Sequence, residues 1–148
     1  MTRSPMHIAL DQARAAAARG EVPVGAALTD PEGRLIAADG NRTRELHDPT
    51  AHAEILVIRA ACAALGTDRL PGASLYVTLE PCPTCAGAIA AARIARLYYA
   101  ASDPKSGGVE QGPRVFSHPQ AHHRPEMYPG IGEAEAAALL KDFFAQRR

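Results

Sequence analysis

His52 and Glu54 stand two residues apart in "TAHAEILV" (50 to 57), and Cys82 and Cys85 stand at Cys-x-x-Cys spacing in "TLEPCPTC" (78 to 85). A cysteine ligates metal as its thiolate. A strand-to-helix junction favours that form, because it offers unpaired N–H groups and the positive end of the helix dipole. A lone Cys-x-x-Cys would also fit a thioredoxin-like redox site. His52 shifts the balance towards a metal, since it too opens a helix after a loop, and two helix N-termini of one α/β unit can converge on a point outside the sheet. Three ligands of the His/Cys/Cys type match a catalytic zinc centre, which keeps a fourth position open for water, whereas a structural centre uses four protein ligands. Cys62 does not supply a fourth ligand: it lies mid-helix on an apolar stripe and reads as a small core residue. Glu54 can move protons at the open position without ligating the metal. Read blandly, it is a first-turn acid favoured by the helix dipole.

The elements that must hold these residues alternate. Met6, Leu10, Ala13 and Ala17 recur at three- and four-residue spacing over 5–19, with Ser4 as N-cap and Gly20 as stop, so the chain opens with an amphipathic helix. "VGAALTD" (24 to 30), a "DPEG" turn and "RLIAADGN" (34 to 41) read as a β-hairpin. Apolar residues from His52 to Leu65 predict a second helix closed by Gly66. "SLYVTL" (74 to 79) and "RLYYAA" (96 to 101) are strands on either side of a third helix over 83–94. Strand, helix, strand, helix, strand implies parallel pairing through helical crossovers, and so a mixed α/β sheet of about five strands with helices on both faces. Gly and Pro concentrate between Pro104 and Gly132, which reads as a functional loop region with short elements. A last amphipathic helix runs over 133–148.

The length of 148 residues fits one compact domain, 1–148. With 47% hydrophobic and 22% charged residues, the composition is that of a globular protein. No apolar run reaches the roughly 18 to 20 residues of a membrane span, and the N-terminus lacks a secretory pattern, so the expected location is cytoplasmic, without membrane contact. Three cysteines, two of them in Cys-x-x-Cys, suit that compartment better than a disulfide framework would. The net charge of zero gives no global sign of a polyanionic partner and leaves room for a local basic patch. The trio His118, His122 and His123 is not read as a second metal site.

His-Ala-Glu and Pro-Cys-x-x-Cys together make the H-x-E…P-C-x-x-C signature of zinc deaminases acting on nucleobases. Beyond it the sequence resembles the bacterial tRNA adenosine deaminases (TadA type). The family-like blocks are "EVPVGAAL" (21 to 28), "GNRTRELHDPTAHAEI" (40 to 55), "LYVTLEPCPTCAGAI" (75 to 89), "DPKSGG" (103 to 108) and "LLKDFFAQRR" (139 to 148), spread over essentially the whole chain. The resemblance implies a three-layer α/β/α cytidine-deaminase-like fold, one Zn2+ per subunit on His52, Cys82 and Cys85, and Glu54 as the proton shuttle. It further implies hydrolysis of the wobble adenosine of a tRNA anticodon stem-loop to inosine, and a homodimer.

Carried over by position, Asn41 hydrogen-bonds the flipped base, an amide having both donor and acceptor for a purine edge. Val22, Pro23, Ala53 and Leu79 surround that base. Asp103 and Lys105 contact neighbouring nucleotides. Phe143, Phe144, Arg147 and Arg148 pair aromatic faces with guanidinium groups, as single-stranded RNA requires, with one phenylalanine assigned to core packing. Thr84 stands where many relatives have methionine, and "PCP" recurs among free-base deaminases, so a deaminase of a free guanine- or cytosine-type base is the alternative. For the dimer, the residues themselves offer the small-residue surface of "CAGAIAAARI".

Overall fold

The computed structural model describes residues 3–147. Helix α1 (Pro5–Ala18) starts where Ser4 Oγ accepts the His7 N–H at 3.2 Å and Pro5 fills the first turn. It lies directly on the backbone of the hairpin β1 (Gly25–Thr29) and β2 (Leu35–Gly40). A Cβ on Gly25 would come within 1.9 Å of the Ala9 carbonyl oxygen, and one on Gly40 within 2.6 Å of that of Gln12. This close approach is why Ala9, Ala13 and Ala16 lie on the buried face of α1 and why glycines begin β1 and end β2.

Helix α2 (Ala53–Leu65) ends at Gly66, whose φ of 65° closes it in the left-handed conformation. Strand β3 (Ser74–Leu79), helix α3 (Pro83–Ala92) and strand β4 (Arg96–Ala101) follow. Helix α3 stops short of the expected Ile94, because Arg93 turns into the left-handed region and sends Ile94 into the core. In the Gly- and Pro-rich region a 3-10 turn (Val115–Ser117) precedes a short edge strand, β5 (Glu126–Pro129). Helix α4 (Glu133–Ala145) ends the fold, and Arg148 lies outside the described residues.

The sheet order is β2-β1-β3-β4-β5. Parallel pairing holds for β3 with β4 and for β4 with β5. It fails for the first crossover: β2 and β3 do not pair, because β1 sits between them, antiparallel to both. One core layer, with Val57, Ile58, Ile89, Leu75 and Val77, lies between the sheet and α2 and α3. The other, with Met6, Ala9, Leu10 and Ala136, lies under α1 and α4. The result is the three-layer α/β/α arrangement with helices on both faces. Tyr76, Tyr98 and Tyr128 are paired in register across β3, β4 and β5, and their rings stack at 4.5 and 4.8 Å. No described helix is long and apolar enough to cross a membrane.

Candidate active site

Helices α2 and α3 start beside each other at the carboxyl ends of β2 and β3, the kind of place where open α/β sheets bind their ligands. Their N-cap residues are His52 and Cys82, and neither makes a side-chain cap. Both side chains turn towards Cys85 instead. His52 Nδ1 lies 3.3 Å from Cys85 Sγ and 3.6 Å from Cys82 Sγ. Tetrahedral zinc with Zn–N and Zn–S bonds of about 2.0 and 2.3 Å sets its N and S ligands about 3.5 Å apart, so the donor set and its spacing both fit zinc. Among the described residues, these three form the one cluster of three or more His, Cys, Asp or Glu side chains placed to share a metal ion. Of the other histidines, His123 Nε2 contacts the Ile94 carbonyl and His118 Nδ1 accepts the Gln120 N–H.

The cluster is electrostatically tuned. The Cys85 thiol donates to Cys82 and, with His52 alongside, holds the Cys82 thiol down at about 3. In return Cys85 is pushed far up, so the pair shares one proton. The bond to Cys82 also raises His52. A divalent cation would displace that proton and draw both sulfurs to thiolates. Glu54 is only 4% exposed. Burial pushes its carboxyl up to about 7, against the pull of its own backbone N–H, His52 and Cys85. A carboxyl poised there can both take and give a proton near neutral pH.

The cap that His52 leaves unmade comes from Asn41. Its Oδ1 accepts the Ala53 N–H at 2.8 Å, its own N–H donates to the Val24 carbonyl, and Arg19 grips its carbonyl at 3.0 Å. With Oδ1 committed to the backbone, Nδ2 has no protein partner among the described residues. Asn41 therefore offers a ligand chiefly a donor, which narrows the two-way amide contact expected from sequence.

Asn41, His52, Glu54 and Cys82 line a cavity of about 240 Å³, with Val22 and Leu79 as apolar walls. Asp103 lines it as well. Pro23 does not: it is fully buried, and Val24 takes the wall position. Ala53 is also buried and contributes its N–H to Asn41. Val22, Leu79, Asp103 and Ser106 also line a neighbouring groove of about 700 Å³ that reaches Lys105, Phe144 and Arg147. Phe144 is 50% exposed there, whereas Phe143 is buried, edge-on to Phe144, with the Arg147 guanidinium 3.6 Å from its ring centre. Val24, Thr43, Glu80 and Ser106 complete the lining and were not foreseen from sequence. Only Glu80 carried a signal, as a lone acid beside the first cysteine's proline.

Residues 2–101 match the family model of the cytidine and deoxycytidylate deaminase zinc-binding region, which sets the class: a zinc-dependent hydrolytic deaminase. A tRNA-specific adenosine deaminase of Agrobacterium fabrum is 61% identical over 97% of this chain and 93% of its own length. Among solved structures, one from a study of A-to-I editing by tRNA A34 deaminases superposes with a TM-score of 0.90 at 62% identity, covering 92% of this chain and 98% of its own. A guanine deaminase from Nitrosomonas europaea gives 0.76 at 29% identity, covering 95% and 83%. The chain belongs to the tRNA-specific adenosine deaminase branch of the cytidine and deoxycytidylate deaminase family.

Proposed function

We propose that this chain, acting as a single deaminase domain, converts the wobble adenosine of a tRNA anticodon loop to inosine and releases ammonia. The observation that carries the reading is a base-sized cavity that shares four wall residues with a much larger groove. At about 240 Å³ the cavity falls below the roughly 300–1,000 Å³ typical of whole-ligand sites, so it holds a single base, and any strand attached to that base lies outside it. The adjoining groove of about 700 Å³ presents an exposed aromatic ring, Phe144, and two cations, Lys105 and Arg147. Stacking and phosphate contact of that kind suit a single-stranded RNA loop. A closed lid over a free base would leave no such groove.

His52, Cys82 and Cys85 hold the zinc. When bound, zinc supplies Lewis acidity and lowers the pKa of water in its open position. Glu54 takes a proton from the water that attacks C6 of adenine and passes it to the departing amine. Oxygen is thereby gained at carbon, the C–N bond breaks, and nitrogen leaves as ammonia. Asn41 Nδ2 donates to an acceptor on the base edge, such as N7. Val22 and Leu79 exclude bulk water around the ring, and Asp103 meets the flanking nucleotides where cavity and groove join.

A second copy of the chain packs on the shallow groove between α2 and α3, lined by Ile55, Ile58, Ala88 and Ala91. A monomer in gel filtration at micromolar concentration would contradict this homodimer. The cytoplasm, where tRNA resides, is the compartment the reading requires. The test is incubation of the zinc-loaded protein with an anticodon stem-loop bearing wobble adenosine, and separately with free guanine, adenine and cytosine, with Glu54→Ala as control. Inosine in the stem-loop that disappears in the variant supports the reading. Turnover of a free base beside an untouched stem-loop refutes the RNA substrate.

A further inference from the structure

Two buried carboxylates beside the cavity take no part in the chemistry above. Glu80, 2% exposed, leaves β3 directly after Leu79. Its Oε1 accepts the Asp103 N–H at 3.0 Å, and its Oε2 accepts those of Val109, Glu110 and Gln111 at 3.1, 2.9 and 3.0 Å. The 102–114 segment is wrapped on this one carboxylate so closely that a Cβ on Gly107 would fall 2.5 Å from Oε2. Glu21, also 2% exposed, directly precedes Val22. Its Oε1 accepts the Arg44 N–H at 3.2 Å and the Thr43 hydroxyl at 3.4 Å, and its Oε2 accepts the Glu45 N–H at 2.9 Å.

The two arrangements share a plan. Val22 and Leu79 are walls common to cavity and groove, and each is the sequence neighbour of one anchoring carboxylate. Each carboxylate then grips a loop that also lines the cavity: Thr43 from one loop, Asp103 and Ser106 from the other. Burying a carboxylate is costly unless hydrogen bonds satisfy it. Here those bonds go to successive backbone N–H groups, which fixes loop position and direction more tightly than an apolar contact would.

We propose that Glu21 and Glu80 are positioning residues, each tying one substrate-facing loop to the cavity wall beside it and so setting the geometry in which the RNA strand enters. Neither touches the reacting atoms. The inference rests on the RNA reading above. Because displacements of about 1 Å at a positioning contact can cost up to about 100-fold, a loosened loop weakens substrate engagement well before it disturbs Glu54 or the three ligands on α2 and α3.

The test uses the zinc-loaded full chain and three variants: Glu80→Gln, Glu21→Gln and Gly107→Ala. The last pushes the loop off Glu80 from the loop side and leaves the carboxylate intact. Expected for each is a rise in KM for the stem-loop of roughly 10-fold or more, with kcat changed less than about 3-fold and zinc content unchanged. Amide hydrogen exchange should quicken over 103–111 in Glu80→Gln and Gly107→Ala, and over 43–45 in Glu21→Gln, while α2 and α3 stay protected. Faster loop exchange with an unmoved KM would overturn the proposal, since the carboxylates would then serve folding alone. A fall in kcat with zinc loss at constant KM would also overturn it. A wild type inert on the stem-loop refutes the RNA reading instead, which separates that failure from an unmoved KM in an active variant.

Discussion

Asn41 performs two tasks through two different atoms, and two substitutions should separate them. Oδ1 caps the Ala53 N–H at the start of α2, which leaves Nδ2 for a ligand in the cavity that Asn41 lines. Asn41→Ala removes both. Losing a cap of this kind costs about 1 kcal/mol, or roughly 3 °C in Tm for a domain of this size. Asn41→Asp keeps an oxygen on Ala53, now charged and at a helix N-terminus, where a negative group gains about 0.3–1 kcal/mol against the cost of burying it. Its stability should therefore stay within about 1 kcal/mol of wild type. On the substrate side Asp replaces the donor with a second acceptor facing the base. A lost bond plus an unpaired group costs about 2–3 kcal/mol, which is roughly 30- to 150-fold in kcat/KM. Thermal denaturation and kcat/KM on the stem-loop, measured on all three proteins, supply the comparison. An Asn41→Asp protein as active as wild type would refute the donor role. An Asp variant as unstable as the Ala variant would refute the capping role.

Four further outcomes follow from the same geometry. Gly25→Ala sets a methyl group against the Ala9 carbonyl and should cost about 3 kcal/mol or more of stability, read as a lower urea midpoint, with zinc content retained in the folded fraction. Cys85→Ser should abolish both zinc in metal analysis and deamination, since the cluster keeps only two ligands of its kind. Burial raises the Glu21 carboxyl, but the N–H groups of Glu45 and Arg44, the Thr43 hydroxyl and Arg19 outweigh it and leave the folded value below the ordinary 4.5. The stability advantage of wild type over Glu21→Gln should therefore be full above that value and vanish as pH falls through the folded one, as read from urea midpoints between neutral and acid pH. Phe144→Ala combined with Arg147→Ala should weaken stem-loop binding and flatten its salt dependence, with a stability loss of only about 1–2 kcal/mol, because Phe144 is exposed and what goes is its edge contact and the Arg147 cation–π contact on buried Phe143.

The grouping of His52, Cys82 and Cys85 beside Glu54 was legible in the sequence because its pattern is local. His52 and Glu54 share one helix start and Cys82 and Cys85 another, so spacing alone points to a candidate ligand set with an acid beside it. The hairpin, α2 and β3 were legible for a similar reason, since turn chemistry, Gly66 and β-branched residues mark their ends. What escaped depends on contacts between distant segments. The position of β1 between β2 and β3 follows from how the hairpin docks, which a strand-helix-strand pattern leaves open. Strand β5 is exposed along its whole length and has no alternation to reveal it. Pro23 and Val24 are adjacent buried apolar residues, and only the chain path makes Val24 and not Pro23 line the cavity. Glu21 and Glu80 act on backbone N–H groups more than twenty residues away, which leave no pattern of side chains to read.

Sequencing a bulk tRNA pool after incubation with the zinc-loaded protein, with Glu54→Ala in parallel, tests the central claim most directly, because inosine is read as guanosine. Adenosine-to-guanosine changes confined to the first anticodon position, and absent with the variant, are the expected result. An unchanged pool, or changes scattered over exposed adenosines outside the anticodon, would contradict a cavity and groove built for one extruded wobble base.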